Sequence, residues 1–167
     1  LANLRLVDVS GVTIESNHFS TVVVPYLPGE AALTLDRGVG NRIQANQFEG
    51  RDTIDGITFW DPSPDGGLVT QNEVLNNRIS GFKIGMFLMA GTSNVISGNL
   101  FRSNSFVNLK IGSASGSASG NLIYNNAFIA RPFTINKQIL LGGCTGPLCT
   151  NYLNLPQPQA GSANILL

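Results

Sequence analysis

Asn41-Arg42-Ile43-Gln44-Ala45-Asn46-Gln47-Phe48 reads as Asn-x-Ile-x-x-Asn-x-Phe, and the chain repeats this phrase along its length. Asn94-Val95-Ile96-Ser97-Gly98-Asn99-Leu100-Phe101 and Asn121-Leu122-Ile123-Tyr124-Asn125-Asn126-Ala127-Phe128 are close copies. Asn72-Glu73-Val74-Leu75-Asn76-Asn77-Arg78-Ile79 carries conservative swaps, and Val12-Thr13-Ile14-Glu15-Ser16-Asn17-His18-Phe19 lacks only the first Asn. A degenerate sixth copy begins at Asn151-Tyr152-Leu153. The apolar anchor thus recurs at 14, 43, 74, 96, 123 and 153, at intervals of 29, 31, 22, 27 and 30 residues. A recurrence of this length marks a solenoid, in which each repeat buries its apolar face against the next.

The phrase contains its own geometry. Ile43 stands between polar neighbours, as in a short strand with one buried face. Asn46 is expected to turn the chain, since Asn tolerates the left-handed backbone region that a tight corner needs. Phe48 then points inward from a second strand. A helix is disfavoured by two Asn per phrase and frequent Gly and Ser. A third apolar stretch follows in most repeats, as in Ala32-Leu33-Thr34-Leu35, Gly56-Ile57-Thr58-Phe59 and Val107-Asn108-Leu109-Lys110-Ile111. Stacking should bring Asn17, Asn46, Asn77, Asn99 and Asn126 into one hydrogen-bonded column, about 4.8 Å apart. Phe19, Phe48, Ile79, Phe101 and Phe128 should form a second column inside.

This repeat resembles the right-handed parallel β-helix of the pectate-lyase-like superfamily, which includes polysaccharide lyases, hydrolases and epimerases and resembles phage tailspikes. The expected fold is therefore all-β, a right-handed parallel β-helix of about six coils of 22–31 residues. One domain spans 1–167. Leu4 and Leu6 already read as strand, and Ala163-Asn164-Ile165-Leu166-Leu167 reads as the start of another, so a module of a longer chain is expected.

Composition narrows the functions. Hydrophobic residues make up 43% and charged residues 12%, enough apolar material for a continuous core. No apolar run is long enough to span a bilayer, so no membrane role is expected. Zero net charge conceals an asymmetry: residues 1–73 carry −6 and residues 74–167 carry +6, which suits an anionic ligand on the second half. The basic residues lack aromatic interleaving, so nucleic acid is not expected as a partner. The single histidine, His18, rules out a His-rich metal site, and no metal is assigned; the resemblance leaves Ca2+ as the one cation that the acids could hold. Gly112-Ser-Ala-Ser-Gly-Ser-Ala-Ser-Gly120 is a flexible loop with no Lys-Ser/Thr after it, and so no phosphate loop. Cys144 and Cys149 enclose a Gly-Pro turn compatible with a disulfide, which favours an oxidising, extracellular location.

The richest stretch for chemistry is 49–73, with Glu49, Asp52, Asp55, Asp61, Asp65, Glu73 and Trp60. Alternation along Ile57-Thr58-Phe59-Trp60 puts Ile57 and Phe59 inward, and Thr58 and Trp60 outward. An outward indole beside loop carboxylates suits a sugar, by stacking on its apolar face and accepting hydroxyl hydrogen bonds. The resemblance places the saccharide groove on this strand face and its flanking loops. Asp61, Asp65 and Lys83 are the candidate catalytic residues; Trp60, Thr58, Lys110 and Arg78 are the candidate substrate-binding residues. Lys83 and Lys110 each lie 13 residues before their anchors, Ile96 and Ile123, and so are expected at equivalent outward positions, suited to a uronate carboxylate. The leading expectation is an extracellular β-helix that binds or processes polysaccharide. The alternative is a non-catalytic structural or adhesive stalk, trimeric as in tailspikes or joined to other domains.

Overall fold

The structure, a computed structural model, describes residues 4–21, 30–61, 69–112, 118–129, 137–141, 152–154 and 165–166. Among the described residues all regular structure is strand, and every strand pairing is parallel. The chain is a right-handed parallel β-helix whose wall is three sheets.

Sheet A has seven strands in chain order: Leu4–Val7, Ala31–Asp36, Asp55–Trp60, Ile84–Leu88, Val107–Ile111, Lys137–Leu141 and Ile165–Leu166. Sheet B has six strands: Thr13–Glu15, Arg42–Gln44, Glu73–Leu75, Val95–Ser97, Leu122–Tyr124 and Tyr152–Asn154. Sheet C has five: His18–Ser20, Gln47–Glu49, Arg78–Ser80, Leu100–Arg102 and Ala127–Ile129. A two-stranded ribbon, Gly91–Thr92 with Ala118–Ser119, completes the wall. The six anchors of the sequence repeat, Ile14, Ile43, Val74, Ile96, Ile123 and Leu153, are Cα partners through the whole of sheet B.

The core is made of columns. Phe48, Phe59, Phe82, Phe101, Leu33, Ile57 and Met86 are wholly buried. Burying each such side chain contributes roughly 1.5–3 kcal/mol. The expected inner column forms: Phe19 stacks on Phe48 at 4.6 Å between ring centroids and Phe101 on Phe128 at 5.2 Å, with Ile79 in register between Phe48 and Phe101.

The Asn column also forms. Asn77 Oδ1 accepts both the backbone N–H (2.9 Å) and the side-chain amide (3.0 Å) of Asn46, while Asn77 Nδ2 donates to Asn99 Oδ1 (3.0 Å) and to the Ile43 carbonyl (2.9 Å). Each ladder amide thus ties a coil to the coils before and after it. A second ladder, which the repeat contained but the reading of it missed, runs through Asn41, Asn72, Asn94 and Asn121.

One expectation about the corner is corrected. The left-handed residue is not the ladder Asn but the one before it: Ser16, Ala45, Asn76, Gly98 and Asn125 all have φ between 54° and 67° except Ala45 at 53°. The ladder Asn uses its amide for the column, and its predecessor takes the strained backbone. The second ladder has the same arrangement, with Gly40, Gln71, Ser93 and Gly120 in the left-handed region.

Candidate functional site

The face of sheet A that points away from the core is the place to look for chemistry. Leu33, Ile57, Met86, Leu109 and Ile139 form one inward row, and Leu35, Phe59, Leu88 and Ile111 another. The residues between these rows therefore point outward. They form the column Arg5, Thr34, Thr58, Phe87, Lys110. A second outward column runs Val7, Asp36, Trp60. Trp60 and Phe87 are half-buried, whereas Thr34 and Thr58 are buried although they face away from the core.

The start of each strand departs from simple alternation. Continued backward from Ile57, alternation would put Asp55 inside. Instead Gly56 faces the core, where a Cβ would meet Ile79, Phe82 and the Gly85 carbonyl oxygen. Ala32 occupies the corresponding inward place one strand earlier. Asp55 is thereby turned to the other side, in a row with Ala31, Ile84 and Val107, all of them buried and none part of the core cluster. It is 1% exposed, and its Oδ1 has no hydrogen-bond partner. Burial pushes the Asp55 carboxyl up to about 7, against the lowering effects of Lys110, of Lys83 and of the Ile84 N–H.

Asp55 was not among the candidate residues read from the sequence. The signal that could have found it is the small residue at 32, 56 and 85, in step with the columns: the inward place there takes Ala or Gly, so the flanking residue faces out.

The candidate residues distribute unevenly. Lys83 lies next to Asp55 across the sheet, its backbone N–H bonding the Ile54 carbonyl at 3.1 Å. Lys110 stands in the strand beyond, its ammonium 4.2 Å from the centroid of the Phe87 ring, a cation–π contact. Lys83 and Lys110 are not equivalent, contrary to expectation. Lys110 is in register with Phe87, which lies nine residues before Ile96, while Lys110 lies thirteen before Ile123. Four extra residues in the loop after Ile111 account for the offset.

Trp60 and Asp61 are at the opposite end of their strand, roughly 15–20 Å from Asp55 at the strand rise. Asp61 is buried there beside Arg37. Arg37 bonds Asp8 through Nε (2.7 Å) and Nη2 (2.8 Å), and its Nε is 3.8 Å from Asp36; Arg5 bonds Asp36 at 2.6 Å. The Asp8 hydrogen bonds, then the Asp8 charge, raise the Arg37 guanidinium, with Asp36 and Asp61 adding to them. Asp61 therefore sits in an ionic cluster apart from Lys83. Arg78 lies on sheet C, exposed and away from the sheet A face. Asp65, Cys144 and Cys149 fall outside the described residues.

Asp55 gives a direct test. The 13C resonance of its carboxyl should titrate with a midpoint near pH 7. A carboxyl raised in the folded state stabilises least once the unfolded chain has ionised. The Asp55 contribution to stability should therefore be greatest below about pH 4, fall as pH rises toward 7 by an amount of order 4 kcal/mol, and then level off. Asp55→Asn should abolish this slope in urea unfolding. An unchanged slope in that variant would assign it to other groups.

Fold and face together define a parallel β-helix module with a mixed aromatic and ammonium surface along one sheet. The chain belongs to the NosD family, described as periplasmic copper-binding protein, whose family model matches residues 3–137. No curated protein and no solved structure matches it.

Copper in proteins is held by close sets of imidazole, thiolate, thioether or carboxylate ligands. Among the described residues no group of three or more His, Cys, Asp and Glu could hold a metal ion. His18 is exposed on sheet C, its Nε2 3.2 Å from Glu49 Oε2. The Gln47 amide and then His18 lower that carboxyl. Met86 is sealed in the core. The described residues do not fit a copper centre.

Proposed function

We propose that this chain is an exported β-helix module that binds polysaccharide along the outward face of sheet A. The observation that carries the reading is the line of Thr58, Phe87 and Lys110 on adjacent strands, with Trp60 two residues beyond Thr58 on the same face. Aromatic faces and an ammonium along a surface of parallel strands match the stacking and charge-pairing needs of an acidic sugar chain. The strands repeat about every 4.8 Å, so an extended glycan can lie across several of them. Trp60, Phe87, Lys83 and Lys110 are its proposed contacts. Export agrees with the periplasmic description of the family.

Trp60 is the only tryptophan, so its fluorescence reports on this face. Titration with acidic and neutral polysaccharides should give a saturable emission shift, absent in Trp60→Ala and weakened in Lys110→Met. A flat response across the panel, with emission already blue, would overturn the reading.

One observation favours a second reading, a structural stalk. Thr58 points away from the core yet is 1% exposed, as on a face that is covered rather than open. A covered face would give the flat response just described.

A further inference from the structure

Sheet C presents a different surface from sheet A. Ile79 and Phe101 point into the core, so Arg78 and Ser80 on one strand, and Leu100 and Arg102 on the next, face outward. Arg78 is in register with Leu100 and Ser80 with Arg102, which sets the two arginine Cα atoms diagonally about 8 Å apart. Arg51 joins them from the preceding coil. The Gly50 N–H bonds the Ser80 carbonyl and the Asp52 N–H bonds the Gly81 carbonyl, both at 2.8 Å, so Arg51 stands beside Gly81. The Gly81 N–H in turn bonds the Arg102 carbonyl at 3.3 Å. Three exposed arginines from three successive coils thus border Ser80 and Gly81. Gly81 is bare by necessity, because its backbone is left-handed (φ +74°) and a Cβ would stand 2.7 Å from the Gly50 carbonyl oxygen. The middle of the group is therefore open backbone and one hydroxyl, that of Ser80, whose bond to the Phe48 carbonyl is long at 3.5 Å.

The charges of these arginines are unmatched. Among the described residues Arg5, Arg37 and Arg42 each hold a carboxylate, whereas Arg51, Arg78 and Arg102 make no side-chain hydrogen bond or ion pair. The acids near them are taken. Glu49, in register with Ser80, accepts from the Gln47 amide and lies 3.2 Å from His18; Glu73 accepts from Arg42 at 2.6 Å; Asp52 is likewise engaged. Residues 74–167 contain no Asp or Glu, so the coils that follow supply none. Like charges on adjoining strands repel one another, and a guanidinium fork bonds the oxygens of an oxyanion in pairs.

We propose that Arg51, Arg78 and Arg102 form an oxyanion site on sheet C, which takes a free inorganic oxyanion or the sulfate or carboxylate group of an acidic glycan. The anion lies over Ser80 and the bare Gly81, where no side chain stands between the guanidiniums. It accepts from the arginines and from the Ser80 hydroxyl, and relieves their mutual repulsion. Glu49 borders the site on one side and keeps the anion toward Arg102. This site does not rest on the glycan reading of sheet A.

Sodium sulfate would be titrated at constant ionic strength, with chloride making up the balance, while the Nε–Hε resonances of the arginines are followed by 15N NMR. Those of Arg51, Arg78 and Arg102 should shift together along one saturating curve. Those of Arg5, Arg37 and Arg42, which already hold carboxylates, should stay in place. Arg78→Gln and Arg102→Gln should each weaken sulfate about tenfold, the loss of one charged hydrogen bond. Glu49→Gln, which removes the bordering negative charge, should tighten it. A sulfated oligomer and a uronate oligomer then identify the source. Tighter binding than sulfate on the same three resonances assigns the site to a glycan, and equal or weaker binding assigns it to the free anion.

Shifts that grow without saturating, shifts of equal size at all six arginines, or a sulfate affinity unchanged in both Arg78→Gln and Arg102→Gln would overturn the proposal. Sulfate should leave the Trp60 emission as it is, since Trp60 is on sheet A. A flat Trp60 response to glycans with the sulfate curve intact would remove the sheet A reading and leave this site standing.

Discussion

Asn77→Ala should cost roughly 4–6 kcal/mol, enough to unfold much of a protein whose whole stability is about 5–15 kcal/mol. The reason is how many groups this one amide serves. Its removal leaves the Asn46 N–H, the Asn46 amide and the Ile43 carbonyl short of their partners, all in the buried corner between sheets B and C. Each orphaned buried group costs about 1–3 kcal/mol, and the losses overlap because the groups are neighbours. Urea unfolding measures the effect. Asn17→Ala, at the first position of the same ladder and exposed, should cost about 1 kcal/mol. Equal losses at Asn17 and Asn77 would mean that the ladder does not hold the stack.

Asn77→Asp separates shape from hydrogen bonding. A carboxylate can still accept from Asn46, but its second oxygen then faces two other acceptors, the Ile43 carbonyl and Asn99 Oδ1. The ionised form is therefore disfavoured and the introduced carboxyl's pKa raised in the folded state. The sign follows: the variant should be least stable at neutral pH and recover part of the loss as the carboxyl is protonated in acid.

The second large effect is expected at Gly85. A Cβ there would stand 2.5 Å from the Asn108 carbonyl oxygen, 2.6 Å from Asn104 Nδ2 and 3.0 Å from Phe101 Cδ1. None of the three can easily give. The carbonyl is backbone of the adjacent strand; Asn104 is held by Asn108 Oδ1 at 2.6 Å while its own Oδ1 accepts the Phe82 N–H at 3.0 Å; Phe101 is wholly buried. Gly85→Ala should cost about 3 kcal/mol, at the upper end of overpacking. Gly40→Ala is the contrast. Its backbone is left-handed (φ +65°), but a Cβ would meet nothing within 4 Å, so only the conformational cost of about 1–2 kcal/mol is expected. If Gly40→Ala proved the more damaging in thermal unfolding, the close approach at Gly85 would not be what limits the strand.

The fold was legible because the repeat states the same instruction several times over. Ile43, Asn46 and Phe48 fix inward, corner and inward again, and errors in one copy are corrected by the others. The sheet A face was read less well because it repeats less. Outward Thr58 and Trp60 followed from alternation, but Asp55 did not, since the irregularity at Gly56 breaks the two-residue period. The pairing of Lys83 with Lys110 failed for a related reason. Counting back from the anchor crosses a loop, and loops differ in length from coil to coil. The closeness of Asp61 to Arg37 is a contact between residues 24 positions apart, which no local pattern carries.

The paired Asn ladders have a consequence for how such a chain can change. Register is enforced at two corners of each coil that carries both Asn residues, so the eight residues from the first Asn to the Phe or Ile have a fixed length. Chain length can vary elsewhere: seven positions separate Ile111 from Ala118, against three between Leu88 and Gly91. A single-residue insertion inside the phrase would unhook both ladders, while a whole additional coil could be spliced in with every amide finding a partner. The natural unit of growth for this architecture is therefore the entire coil, and its natural place for novelty is the rim.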